Sequence, residues 1–179
     1  MAKDGRIIKF ESSPVKLCIP AEFSEWLKKS DFFTAPASAN HHGNYEGGLF
    51  DHSYMVMQVL ADLTKKNSLM WERPESPFII GLFHDICKID QYLNIADEWE
   101  EPVYEFNKNT LLKGHGDKSV MILSSHIQLT EEEVMCIRYH MGAFTDKSEW
   151  EYFTRAINKY PNVLWTHHAD MIASQIKEV

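Results

Sequence analysis

The 179-residue sequence predicts an all-α helical bundle interrupted by one small β-hairpin. Apolar residues recur at i, i+3 and i+4 along most of the chain, which is the spacing of one helix face. Ser, Thr and Pro stand where those periodic runs begin, as helix starts require. Only the stretch from about Asp90 to Leu112 loses the period. No repeat, low-complexity tract or linker composition divides the chain. Residues 1–179 therefore read as one domain, a helical core at about 40–177 with residues 1–39 packed on it as an N-terminal extension.

Helix signals dominate after the first twenty residues, and they come with caps. Pro20 precedes "AEFSEWLKKS", where Phe23, Trp26 and Leu27 share a face. "GGLFDHSYMVMQVLADLTKKN" is a longer helix whose Leu49, His52, Val56, Val59, Leu60 and Leu63 form an inward stripe. Ser76 as N-cap and Pro77 at the first helical position open "FIIGLFHDICKI", apolar on nearly all sides and so the central buried helix. "EWEEP" and "VYEFNKNTLLK" break the period as a loop with the short hairpin. Helix resumes at "GDKSVMILSSHI", and Thr130 with Glu133 makes a capping box ahead of "EEEVMCIRYH". "SEWEYFTRAINKY", starting from Ser148, and "NVLWTHHADMIASQIKE", after Pro161, complete the bundle.

Eighteen Lys and Arg against 26 Asp and Glu leave a net charge of −8. That balance argues against an extended nucleic acid as the main partner, because such binding runs on phosphate neutralisation. It leaves a nucleotide or short oligonucleotide open. Cys18, Cys87 and Cys136 are odd in number, far apart and without a CxxC pair. Reduced thiols in the cytoplasm follow, and zinc-finger readings fail. "MAKDGRIIKF" has no apolar signal core, and no run approaches the ~18 apolar residues of a membrane span, so cytoplasmic localisation without membrane attachment is expected. Oligomeric state is not set by the sequence.

The stretch "GLFHDICK" puts an imidazole, a carboxylate and an amine into one of the most apolar runs. A buried carboxylate is costly unless it is paired or bound to a metal. His52, the adjacent His84 and Asp85, His115, His140 and Asp170 each fall on or at the end of an expected helix. Imidazole nitrogen and carboxylate oxygen together suit divalent transition metals, which would resolve that cost.

These residues resemble a family. "FDH", "HDICK", "GHG", "RYHMG" and "HHAD" look like the ordered series of the HD-domain metal-dependent phosphohydrolases, over about Asn40 to Asp170. "NHHGNYEGGLFDH" is similar to the HD domain of certain bacterial 3′–5′ exoribonucleases, although this chain has no room for their separate oligonucleotide-binding domain. The resemblance implies His52, His84, Asp85 and Asp170 around one metal. It implies His115 and His140 as extra ligands of a second, with Asp85 as bridge. The alternative for His115 and His140 is phosphate donation beside a single ion. The implied activity is hydrolysis of a phosphate ester by metal-bound hydroxide, the substrate being a small phosphorylated molecule such as a nucleotide or short oligonucleotide. One or two ions of Mn, Fe, Ni, Co or Zn would serve. Asp85 and Lys88 are the candidate catalytic residues, Lys88 steadying the phosphate, with a solvent-facing lysine as the alternative. The family often has glycine where Cys87 stands.

His41 and His42, followed by Gly43, Gly47 and Gly48, are candidates to cover the pocket, or else form a surface turn. Arg138 is a candidate phosphate ligand, or an exposed helix arginine. His167, three residues before Asp170, is a candidate to support the ligands, or a structural residue. Cys18 and Cys136 read as small buried hydrophobes. Two rival functions stay open: a di-iron oxygenase of the same ligand series, and a non-catalytic nucleotide sensor.

Overall fold

The computed structural model describes residues 1–97 and 99–177. Helix α1 (Lys3–Glu11), a 3₁₀ turn at Pro14–Cys18, α2 (Ala21–Lys29) and a second turn at Asp31–Phe33 make up its first part. Helix thus begins well before residue twenty, ahead of the segment where helix signals dominate. The sequence of α1 is a weak helix former, with Gly5 and several charges along nine residues. Tertiary packing holds it. Arg6 is 1% exposed with Nη2 2.7 Å from Asp51 Oδ2, and the Phe10 and Phe33 rings meet at 5.6 Å.

The remaining elements are α3 (Gly48–Asn67), α4 (Ser76–Phe83), β1 (Tyr92–Asn94), β2 (Tyr104–Phe106), α5 (His115–Ser124), α6 (Glu131–Arg138), α7 (Trp150–Lys159) and α8 (Asn162–Gln175). Helix α3 lies against α4 and α8, and α6 touches α4, α5 and α8. Among the described residues the fold is all-α with one antiparallel hairpin, in which Tyr92 pairs with Phe106 and Asn94 with Tyr104. Aromatic rings dominate the core near the N-terminal helices: Phe23 meets Phe83 at 5.2 Å and Phe33 meets Phe50 at 5.1 Å. No described helix is long and apolar enough to cross a membrane.

On α3 the expected stripe faces inward. Leu49, His52, Val56 and Leu60 are buried, and Val59 and Leu63 are half-buried. The run "FIIGLFHDICKI" is not one helix, however. Helix α4 ends at Phe83, with the His84 amide still donating to the Ile80 carbonyl, and Asp85 sits at φ −104°, ψ 14° before a 3₁₀ turn at Ile86–Asp90. No glycine or proline marks this break, so apolar continuity concealed it.

Ser76 is the first residue of α4 rather than its cap. Its hydroxyl instead donates to Glu133 Oε1 at 2.9 Å. The fully buried Glu133 also receives Arg73 Nε at 2.8 Å and Arg73 Nη2 at 2.7 Å, and it completes the expected capping box with Thr130. One carboxylate thereby ties the segment before α4 to the start of α6. Cys136 is buried as expected, whereas Cys18 is half-exposed.

Candidate metal centre

The bundle brings His52, His84, Asp85, His115, His140 and Asp170 to one point. His52 lies near the start of α3, His84 and Asp85 at the break after α4, His115 at the first position of α5, His140 just beyond α6 and Asp170 on α8. His52, His84 and His140 are fully buried and Asp85 is 2% exposed, while His115 and Asp170 are partly open to a cavity.

Asp85 stands at the middle. Its Oδ2 is 3.6 Å from His84 Nε2 and 3.8 Å from His52 Nε2. Its Oδ1 is 2.6 Å from His115 Nε2 and 3.4 Å from His140 Nε2. The two carboxylate oxygens therefore face two different pairs of imidazoles. Asp170 Oδ1 joins the first pair, 3.1 Å from His52 Nε2 and 3.9 Å from His84 Nε2. The helix break gives the backbone at Asp85 the turn that a continuous helix would not.

The hydrogen bonds on the far sides of the rings fix what these nitrogens offer. His84 Nδ1 lies 3.0 Å from the Gly81 carbonyl and His140 Nδ1 2.6 Å from the Ile137 carbonyl. A carbonyl can only accept, so each Nδ1 carries a proton and, in the neutral ring, each Nε2 turns a lone pair inward. Among the described residues, His84 Nε2, His140 Nε2 and Asp85 Oδ1 are buried without an aligned hydrogen bond. Inward lone pairs, oriented rings and an acidic centre are what a divalent transition metal requires. The set fits a metal: His52, His84 and Asp85 form one group with ligand atoms within 4.8 Å of one another, as do His84, His140 and Asp170.

The electrostatics of His84, His115, Asp85 and Asp170 agree with that donor set. Burial depresses the His84 imidazole to about 3 and lowers that of His115, so both are neutral at pH 7 in the metal-free protein. Burial alone would raise the Asp85 carboxyl, but Lys88 and the surrounding imidazoles outweigh it and hold the group well below its ordinary value. Asp170 is likewise lowered against burial, chiefly by His52. His140 is the exception: Asp85 raises it despite burial and favours a second proton, on Nε2, which a bound cation would have to displace.

The cavity beside the cluster has a volume of about 780 Å³ and is lined by His41, His42, Lys88 and His167 as well as Asp85, His115 and Asp170. Lys88 is 8% exposed with Nζ 2.7 Å from Asp85 Oδ2. The His42 ring lies 4.8 Å from that of His52, and burial lowers its imidazole to about 4. His41 is exposed at the rim, its amide donating to Ser38 Oγ. The glycines of this loop serve the chain itself. A Cβ on Gly47, at φ +79°, would fall 2.2 Å from the Arg6 guanidinium carbon.

His167 donates from Nδ1 to the His140 carbonyl at 2.8 Å, and its ring fills the space over Gly142, at φ +57°. Arg138 lies apart from this cavity, its guanidinium held by Asp117 and, at 3.1 Å, by Glu149. Cys87 Sγ lies 3.4 Å from His115 Nδ1, and burial pushes its thiol up to about 12. Sequence reasoning gave no sign of the cavity walls at Ser38, Gln91, Ser174 and Gln175. These sit on turns and a helix end where no periodicity marks them.

A family model described as HD domain matches residues 49–174, the span that holds all six clustered residues. No curated protein and no solved structure matches the chain.

Proposed function

The chain belongs to the HD-domain family, whose members are generally metal-dependent hydrolases, and on that premise we propose that it hydrolyses a phosphate ester of a nucleotide or short oligonucleotide. The observation that carries this reading is the division of Asp85: one oxygen toward His52 and His84, the other toward His115 and His140. His52, His84, Asp170 and Asp85 Oδ2 would hold one cation, and His115, His140 and Asp85 Oδ1 a second. Mn, Fe, Co, Ni or Zn suits this mixture of nitrogen and oxygen donors.

A divalent cation bound there supplies Lewis acidity, which lowers the pKa of water and draws charge from phosphoryl oxygens. The chain's own groups do the rest. The carbonyls of Gly81 and Ile137 hold the His84 and His140 rings in the ligating tautomer. Lys88, already on the cavity wall, places a positive charge where the equatorial oxygens of a phosphoryl group would gather negative charge. A cavity of this size accommodates a nucleotide. Three free thiols accord with a reducing compartment such as the cytoplasm.

The test is elemental analysis of the purified protein together with turnover of bis(p-nitrophenyl) phosphate. Expected are one to two equivalents of transition metal, near zero in Asp85→Ala, and hydrolysis that follows metal content. Absence of metal after reconstitution with Mn, Fe or Zn would overturn the reading. Iron-dependent oxygen uptake without ester hydrolysis would replace it with the oxygenase.

A further inference from the structure

Beside the metal cluster runs a second groove, of about 430 Å³, lined by Gln91, Phe106, Lys108, Lys113, His115 and Lys118 among others. Gln91 and His115 also line the main cavity, so the two hollows share a wall at the cluster. The chain carries a net charge of −8, yet the residues lining this groove include three lysines and no carboxylate. Lys118 is 5% exposed and its ammonium is committed to Asp90. Lys108 and Lys113 make no ion pair among the described residues.

The groove also has an aromatic wall. Phe106 ends β2 with 58% of its surface exposed, braced edge-on by Tyr92 across the hairpin at 6.2 Å. The turn that follows is tied down: Asn107 donates from its amide to the Gln91 carbonyl at 2.8 Å and from Nδ2 to the Asp90 carbonyl at 2.9 Å. Its Oδ1 accepts from the Asn109 amide at 3.0 Å. Lys108 is therefore carried on a fixed turn that directly follows the exposed ring.

Two uncommitted cations and an exposed ring along a groove that opens beside a phosphate-cleaving centre are the elements of single-strand recognition. Lysines neutralise successive phosphates, and any base can stack on an aromatic face. We infer that this groove carries the continuing strand of a short single-stranded oligonucleotide whose scissile phosphate lies at the metal cluster. Lys108 and Lys113 take the next phosphates and Phe106 stacks a base. The inference rests on the phosphohydrolase reading and narrows its substrate from a mononucleotide to an oligonucleotide.

Binding to the Mn-loaded protein tests it, with phosphorothioate-linked hexamers of thymidine and of uridine, which keep the charge of each linkage and resist cleavage. At least one hexamer should bind about tenfold or more tightly than its mononucleotide. Lys108→Ala/Lys113→Ala should weaken the hexamer and reduce the slope of log affinity against log salt by about 1.4, at roughly 0.7 per phosphate contact. Phe106→Ala should weaken it about tenfold. All variants should keep the mononucleotide affinity and the turnover of bis(p-nitrophenyl) phosphate. Equal affinity for hexamer and mononucleotide, or unchanged hexamer binding in both variants, overturns the inference. Bis(p-nitrophenyl) phosphate turnover and metal content, measured on the same preparations, show separately whether the hydrolase reading stands.

Discussion

The ammonium of Lys88 lies 2.7 Å from Oδ2 of Asp85, the same oxygen that faces His52 and His84. In the metal-free protein the lysine is thus the main cation compensating a buried carboxylate. A metal bound to Asp85 would take over that task and release the ammonium toward the cavity.

Replacement of Lys88 should therefore cost more stability without metal than with it. Lys88→Met keeps most of the aliphatic stem and should destabilise the metal-free protein by about 3 kcal/mol, the range for removing one partner of a buried pair. Urea unfolding of metal-free and Mn-loaded protein measures both penalties. Equal penalties in the two states would show that Lys88 does not stand in for the cation.

Glu133 is the analogous point in the scaffold. Arg73, Ser76 and Thr130 all direct donors at its buried carboxylate. Glu133→Ala should cost about 3–5 kcal/mol, because it strands those donors and leaves the arginine without its partner. The loss would be read from chemical denaturation, and an effect under about 1 kcal/mol would contradict the assigned role.

The depressed imidazoles give a pH dependence of definite sign. His84 titrates near 3 in the folded metal-free protein and near 6.5 when unfolded, so between those values the unfolded chain binds the additional proton. Its contribution to stability is therefore whole above about pH 6.5 and declines as pH falls, by up to about 1.4 kcal/mol per pH unit. His115 and His42 act in the same direction, and together with His84 they outnumber the raised His140, which acts in the opposite one. Urea midpoints of the metal-free protein at pH 7, 6 and 5 should decrease in that order, and a constant midpoint would refute the neutral-imidazole description.

Thiol chemistry tests the burial of the cysteines. Iodoacetamide at pH 8 should modify Cys18, which is half-exposed, and spare Cys87 and Cys136 until the protein is unfolded. Burial raises both protected thiols far above that pH. Peptide mass mapping distinguishes the sites, and native labelling of Cys87 would indicate that the region beside His115 opens.

Much of the bundle was legible because its signals are local. The α3 stripe at Leu49, His52, Val56 and Leu60, the Thr130 capping box and the hairpin within Asp90–Leu112 each follow from spacing or composition over a few residues. The convergence of six His and Asp residues was legible only through their order in the chain. What escaped depends on contacts between distant segments. Helix α1 relies on Asp51 and Phe33, Ser76 turns to Glu133 instead of capping its own helix, and the break at Asp85 has no glycine or proline to announce it. Arg138 looked available from its neighbourhood in sequence, but Asp117 and Glu149 reach it from elsewhere in the fold.

The six clustered residues come from segments spread between His52 and Asp170, and the last of them lies on α8. During synthesis, a ribosome-bound chain would have most of its imidazoles in the open long before Asp170 emerged. The full donor set forms only when α8 docks against α3, so a cation that needs all six residues would be held only after that helix has packed. A chain stalled or clipped ahead of that helix would lack a carboxylate at the very place where His52 and His84 await one.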